Sequence, residues 1–321
     1  MILQAIPANP VPEGAVTGHI TANDGVKIRY ARWNPTAPRR GTVCVLMGRA
    51  DMIEKYFEVV EELRGRGFAV TVHDWRGQGG SDRKLRDPRK GYVRSFDEYQ
   101  LDLEALIREV VLPDCPPPLF ALAHSMGGLI LLEAVKQGRR WFDRAVITAP
   151  MLHFARMRGG PIVPFVVKLG QAVGLGRLYV PGGGPVPVVH GPFLGNRATS
   201  DPVRYERAAS TVQSAPHLAL GSPTIAWANA AFSVMRRAED PSYAADLRQP
   251  LLILAAGKDN VVSNAAIERF ATRLRAGAHL VVSGSRHEIL MERDVFRSQF
   301  WAAFDAFIPG SPPRIGTPGY R

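Results

Sequence analysis

The chain has 321 residues, of which 46% are hydrophobic and 21% charged, ordinary proportions for a globular protein with a core of its own. The net charge of +11 could draw it to an anionic partner, but no nucleic-acid motif and no aromatics interleaved with basic residues accompany it, so no nucleic-acid partner is expected. No apolar run approaches the roughly 20 residues that span a bilayer; residues 1–12 lack a basic lead and are broken by Gln4 and Pro7, so a cytoplasmic protein is expected.

Arg outnumbers Lys by 33 to seven, a ratio that fits codon bias as well as it fits a partner. One loop is markedly basic, with Arg83, Lys84, Arg86, Arg89, Lys90 and Arg94. It reads as a solvated loop, with peripheral contact to an anionic membrane as the functional alternative. Cys44 and Cys115 have no metal-ligand spacing and suggest unpaired thiols. No metal and no cofactor are expected.

Taken in chain order, the elements alternate. Gly41 to Leu46 reads as a β-branched strand. Glu54 to Arg64 has helical apolar spacing at Tyr56, Phe57, Val60 and Leu63. Gly67 ends that helix, and Phe68 to Val72 is the next strand. Phe96 to Val111 is an amphipathic helix stopped by Pro116 to Pro118. Leu119 to Ala123 is a strand, Gly127 to Lys136 a helix and Ala145 to Thr148 a strand. The alternation resumes with strand Leu251 to Ala255, helix Asn264 to Leu274, strand His279 to Val282 and helix Val295 to Phe307. Such a rhythm predicts a mostly parallel central sheet with helices on both faces. Runs such as LLILAA and LFALA suit strands buried on both sides.

Between residues 152 and 245 the rhythm breaks. The stretch is too long for a loop inside a compact domain and is read as an inserted, mainly helical cap. The core is then residues 1–151 and 246–309. The Pro-, Gly- and Arg-rich tail, 310–321, is expected to be disordered.

The segment Leu119-Phe-Ala-Leu-Ala-His-Ser-Met-Gly-Gly128 carries the chemistry. A nucleophilic serine on a sharp strand-to-helix turn needs small neighbours. Gly127 supplies one. Ala123 stands where glycine is usual, a departure that the next smallest side chain should tolerate. Ser125 then opens a helix, where the N–H of Met126 and the helix N-terminus favour a developing oxyanion.

A serine hydroxyl needs a base, and the base a carboxylate to orient it. On such an elbow the partners follow in the order Ser, acid, His, just past the ends of strands. Asp259 sits in the turn Gly257-Lys-Asp-Asn260 after LLILAA. His287 sits in Gly284-Ser-Arg-His-Glu288 after HLVV. His19 and His73 precede the serine, His124 adjoins it and should point elsewhere, His279 begins a strand, and His153, His190 and His217 lie in the insertion. Asp74 precedes the serine and is read as structural, holding the loop Arg76–Gly80; Glu288 is the weaker acid candidate. Gly48 permits a tight turn after the first buried strand, making the N–H of Arg49 the second oxyanion donor.

The segments GRADMIEKY, DWRGQGGSD, HSMGG, GKDN and SRHEIL together resemble bacterial lysophospholipases of the α/β-hydrolase superfamily and the related monoacylglycerol lipases. The resemblance covers about residues 20 to 150 and 245 to 307, and the insertion only loosely. Met47-Gly48 departs from the His-Gly usual in monoacylglycerol lipases. The resemblance implies an α/β-hydrolase fold, a carboxylic ester substrate with one acyl chain, such as a lysolipid, and a cap that shapes the acyl pocket. Phe165, Trp227 and Phe232 are candidates for lining it. A peptidase, thioesterase or perhydrolase on the same fold stays open, as does, further off, an inactive binding protein.

Overall fold

The structure, a computed structural model, describes residues 3–156, 160–187, 189 and 192–309; the expectation for 310–321 lies outside them. Its centre is a sheet of eight strands: β1 Val16–Thr21, β2 Lys27–Trp33, β3 Gly41–Leu46, β4 Phe68–His73, β5 Leu119–His124, β6 Arg144–Thr148, β7 Leu251–Ala256 and β8 Gly277–Val282. They lie in the order β1-β2-β4-β3-β5-β6-β7-β8. From β4 to β8 every neighbour is parallel, while β2 runs antiparallel to both β1 and β4. Strands β3, β4, β5 and β7 are buried along their whole length, as strands covered on both faces must be. The edge strand β8 is largely exposed.

The first hairpin, β1 and β2, has no counterpart in the apolar runs of the sequence. In β2 the alternation is masked by Arg29 and Arg32. Arg29 is buried nonetheless, because Glu54 takes both ends of its guanidinium at 2.7 and 2.8 Å and Asp74 takes Nε at 2.5 Å. A buried charge is tolerated only with such partners, and these lie 25 and 45 residues away.

Helices flank the sheet. The core helices are α1 Phe57–Arg64, α2 Asp97–Leu106, which runs through a wider turn into the short α3 Leu112–Asp114, then α4 Met126–Lys136. The chain between β6 and β7 carries α5 Val163–Ala172, α6 Pro202–Ser214, α7 Ile225–Ala238 and α8 Pro241–Asp246. After β7 come α9 Asn264–Ala271 and α10 Asp294–Phe307. One face of the sheet packs Phe57, Val60 and Leu63 of α1 with Phe300 and Phe304 of α10. The other packs α2, α4 and α9 through Leu103, Leu129, Ile267 and Phe270. The buried side of α7, with Trp227, Ala231 and Val234, joins that second core.

The segment between β6 and β7 is fastened by charge as well. Arg204 of α6 donates to Glu58 of α1 at 2.6 and 2.9 Å. Arg207 and Arg297, the latter on α10, reach the same carboxylate at 2.7 and 3.2 Å. Caps fix the starts of α6, α7 and α8: Asp201 accepts from the N–H of Val203 and Arg204, Thr224 from Trp227, and Asp240 from Ser242. Among the described residues no helix is long and apolar enough to cross a membrane.

Candidate active site

At the end of β5 the chain turns sharply into α4, and Ser125 takes φ 50° and ψ −111°. A positive φ at a residue with a side chain stores strain, and here surrounding bonds hold it. The Ser125 N–H donates to Thr148 O at 3.0 Å, and Ser125 O accepts from Met151 N at 3.1 Å. Close approach explains the glycines. A Cβ on Gly127 would meet Leu46 O at 2.2 Å, and one on Gly128 would meet Ile147 Cγ2 at 2.5 Å. Ala123 fits, fully buried in β5.

Residues 125, 259 and 287 meet at the C-terminal rim of the sheet. The Ser125 Oγ lies 3.1 Å from Nε2 of His287, and Nδ1 of His287 lies 2.8 Å from Oδ2 of Asp259. The other carboxylate oxygen of Asp259 accepts the N–H groups of Val261 and Val262 at 2.7 and 2.9 Å. Burial pushes the Asp259 carboxyl up, but the hydrogen bond and charge of His287, with these two amides, hold it below the ordinary carboxylate range. It therefore stays an acceptor for His287. Ser125 is 8% exposed and His287 6%, so the group is largely screened from bulk water.

His124 does not point away from the site. Its ring centroid lies 4.9 Å from that of His287, and its Nδ1 meets Thr148 Oγ1 at 3.0 Å. Burial, joined by repulsion from His287, drives its pKa down to about 3, so it is a neutral packing wall. Asp74 accepts the N–H of Gly80 at 2.7 Å and of Ile53 at 3.0 Å besides the Arg29 guanidinium. It is structural and spans both ends of its loop. Glu288 pairs with Lys55 at 2.7 Å.

The turn after β3 is clamped on all sides of Arg49. Gly48 donates to Asp51 Oδ2 at 2.9 Å, Ala50 donates to Gln78 Oε1 at 3.2 Å, and Gln78 Nε2 donates to Gly48 O at 2.9 Å. The backbone N–H groups of Arg49 and Met126 carry no hydrogen bond among the described residues. A Cβ on Gly48 would lie 3.5 Å from Cβ of Ser125, so the turn abuts the serine. The Arg49 side chain is held elsewhere, donating to Gly221 O at 2.6 Å and stacking 5.1 Å from the Trp227 ring.

Two of the three aromatic candidates are placed differently from a channel lining. Trp227 is 3% exposed and donates through Nε1 to Tyr99 OH at 3.0 Å; it is core, packed against Phe96. Phe165 is 65% exposed on the outer side of α5. Phe232 packs edge-on to Phe154 and borders a cavity of about 190 Å³. A larger cavity, about 440 Å³, lies beside the Asp259 and His287 loops. Its walls include Leu194, Tyr205, Ala208, Val261, Met291 and the Lys55–Glu288 pair. Sequence reasoning missed it, because its walls come from separate segments between residues 55 and 291 and no local pattern marks them as sharing a cavity.

The parallel sheet with its crossing helices and a serine on the elbow define an α/β-hydrolase fold, with a nucleophile-type turn at its usual position. Comparison with known proteins agrees. The family model described as "Serine aminopeptidase, S33" matches residues 37–294, and the chain belongs to that family. It is 31% identical over 294 residues to lysophospholipase L2 of Escherichia coli K12, covering 87% of this chain and 83% of that one. It is 26% identical to the probable lysophospholipase L2 of Haemophilus influenzae, over 93% and 94% of the two chains. The structure of a soluble variant of monoglyceride lipase from Saccharomyces cerevisiae, in complex with a substrate analog, superposes with a TM-score of 0.74. The identity is 19%, over 95% of this chain and 100% of that one, a likeness of fold.

Proposed function

We propose that the chain hydrolyses carboxylic esters carrying one acyl chain, of the lysophospholipid or monoacylglycerol kind, through an acyl-enzyme on Ser125. The observation that carries the reading is the continuous Ser125–His287–Asp259 hydrogen-bond relay, with links of 3.1 and 2.8 Å. His287 takes the Ser125 proton at Nε2 as Oγ attacks the ester carbonyl. Asp259 holds the ring in the tautomer that leaves Nε2 free and stabilises the imidazolium that forms. The Arg49 and Met126 N–H groups receive the tetrahedral oxyanion. His287 then protonates the leaving alcohol, and water, activated by the same imidazole, releases the acid.

Residues 152–245 serve in this reading as a cap, and the 440 Å³ cavity beneath α6 is the acyl site. Its mostly apolar walls suit a hydrocarbon chain better than a charged group. Names of relatives support the lipid substrate: lysophospholipase L2 at 31% identity is one, monoglyceride lipase of mouse at 25% over 137 residues another.

Contact with an anionic membrane, from the cytoplasmic side, belongs to the same reading. Ile162, Phe165, Val166, Leu169 and Val173 are all exposed and recur at helical spacing along one side of α5. Residues 144–200 contain no Asp or Glu. The basic loop contributes through Arg86 and Lys90, which border an open hollow together with Arg177 and one carboxylate, Asp87. Arg83 and Lys84 do not take part: Arg83 donates to Gly77 O and Gly79 O, and Lys84 pairs with Glu98.

The test compares lysophosphatidylcholine, monoacylglycerol, p-nitrophenyl butyrate and aminoacyl p-nitroanilides, with Ser125→Ala as control. Ester turnover that vanishes in the variant is expected. Amide turnover exceeding ester turnover would move the assignment to a peptidase, and ester turnover that persists in Ser125→Ala would end it.

A further inference from the structure

Acyl transfer needs two walls of the site at a set spacing: the turn that offers the Arg49 N–H and the loop that carries His287. One buried side chain joins them. Lys55 Nζ lies 2.6 Å from Asp51 Oδ1 and 2.7 Å from Glu288 Oε1, with the lysine side chain only 4% exposed. Each carboxylate belongs to one wall. The other oxygen of Asp51 accepts the Gly48 N–H and the Tyr56 hydroxyl, both at 2.9 Å, which fixes the Met47–Gly48 peptide, the unit preceding the one that carries the Arg49 N–H. Glu288 follows His287 directly, and its N–H donates to Ala198 O at 2.8 Å.

We infer that Lys55 is a positioning residue, whose ammonium sets the distance between the oxyanion donor on one loop and the imidazole on the other. The inference rests on the proposed roles of Ser125, His287 and Arg49. Burial favours a neutral lysine, but the two carboxylates outweigh it and hold the amine protonated. Without the ammonium, the buried Asp51 and the partly buried Glu288 would lose the cation they share, and a buried charge deprived of its counter-charge forces the structure to adjust. The loops would move apart. A misplacement of about 1 Å in a catalytic array costs on the order of 100-fold in rate.

The pair also forms part of the wall of the 440 Å³ cavity, so a direct contact with a phosphate head group is the competing role. The two roles differ in what they change. Positioning acts on every ester alike and on kcat, while head-group recognition acts on KM and only on phosphate-bearing substrates.

The experiment measures kcat and KM of Lys55→Met on p-nitrophenyl butyrate, monoacylglycerol and lysophosphatidylcholine, at a temperature well below the unfolding midpoint of each variant. The rate of Ser125 labelling by a fluorophosphonate is measured alongside. Expected is a drop in kcat of about 10- to 100-fold on all three esters, with KM within about threefold and labelling slowed in parallel, since both reactions need the same two walls. Lys55→Arg, which keeps the charge, should recover part of the loss. Arg66→Met breaks a pair of similar burial, Arg66–Asp305 at 2.9 Å, on the helix side of the sheet; it should lower the midpoint and leave kcat unchanged. If Lys55→Met does not fold, Glu288→Ala cuts one arm of the bridge from its more exposed end and should show the same kcat signature. An unchanged kcat in a folded variant, or a loss confined to KM for lysophosphatidylcholine, overturns the inference. Absence of fluorophosphonate labelling in the unmodified enzyme would instead overturn the proposed function, so the two failures read differently.

Discussion

At the scale of single residues, the elbow turns on small side chains that differ in what surrounds them. Gly127 faces the carbonyl oxygens of Leu46 and Met47, which a Cβ would meet at 2.2 and 2.6 Å. Backbone atoms at that distance cannot rotate away. Gly127→Ala should therefore push β3 from the elbow, costing about 3 kcal/mol and most of the activity. Ala123, in contrast, already fills its space inside β5. Ala123→Gly, which restores the commoner residue, should leave kcat within about twofold and lower stability by about 1 kcal/mol through strand entropy. Urea unfolding and ester hydrolysis, run on both variants, check the pair. Loss of activity in Ala123→Gly would mean that the methyl group shapes the turn. The three triad candidates were readable at this scale, because each stands beside a glycine-bearing turn at the end of an apolar strand. Lys55 was not, since its partner at 288 is 233 residues away, and nothing local marks a lysine as buried.

At the scale of elements, the junction between α1, α6 and α10 centres on one carboxylate, with Glu62, Asp201 and Asp294 beside it. Glu58 receives Arg204, Arg207 and Arg297. Burial alone would raise its pKa, but hydrogen bonding to Arg204 and the surrounding guanidinium charges bring it from 4.5 down to about 2. A lowered pKa in the folded state means that the unfolded chain binds the proton more readily. The stabilisation is thus complete above about pH 4.5 and lost as pH falls toward 2. Glu58→Gln should cost about 2 kcal/mol at pH 7, a value below that of a wholly dry pair because the carboxylate is partly solvated. The gap between variant and parent should narrow steadily as unfolding is repeated at pH 4 and pH 3. A gap that stays constant with pH would show that the guanidinium cluster tolerates a neutral partner. The parallel strands from β3 to β7 announced themselves as unbroken apolar runs. The hairpin β1–β2 did not, because Arg29 disguises a buried strand position, and its burial makes sense only once Glu54 and Asp74 are seen beside it.

At the scale of the whole molecule, the excess positive charge and the exposed apolar residues are not spread evenly. Large apolar side chains left in water are usually scattered, yet Ile162, Phe165, Val166, Leu169, Val173, Leu175 and Leu178 gather on α5 and the turn that follows it. Lys168 and Arg177 stand in the same stretch, and no acidic residue occurs between 144 and 200. Apolar residues in a basic setting suit the interface of an anionic bilayer, where burial of hydrocarbon and charge attraction add. Phe165→Asp combined with Leu169→Asp should weaken binding to vesicles of phosphatidylglycerol and phosphatidylcholine by at least about tenfold, since two apolar insertions are lost and two repulsive charges gained. Hydrolysis of p-nitrophenyl butyrate in solution should be unchanged, because both side chains lie on the outer side of α5. Raising the salt from about 0.05 to 0.5 M should weaken binding of the parent protein as the basic residues are screened. Vesicle sedimentation with a parallel light-scattering mass measurement decides the matter. If the double variant still binds vesicles, the bilayer meets another face. If it instead converts a dimer into a monomer, the apolar side of α5 is the seat of a second copy of this chain.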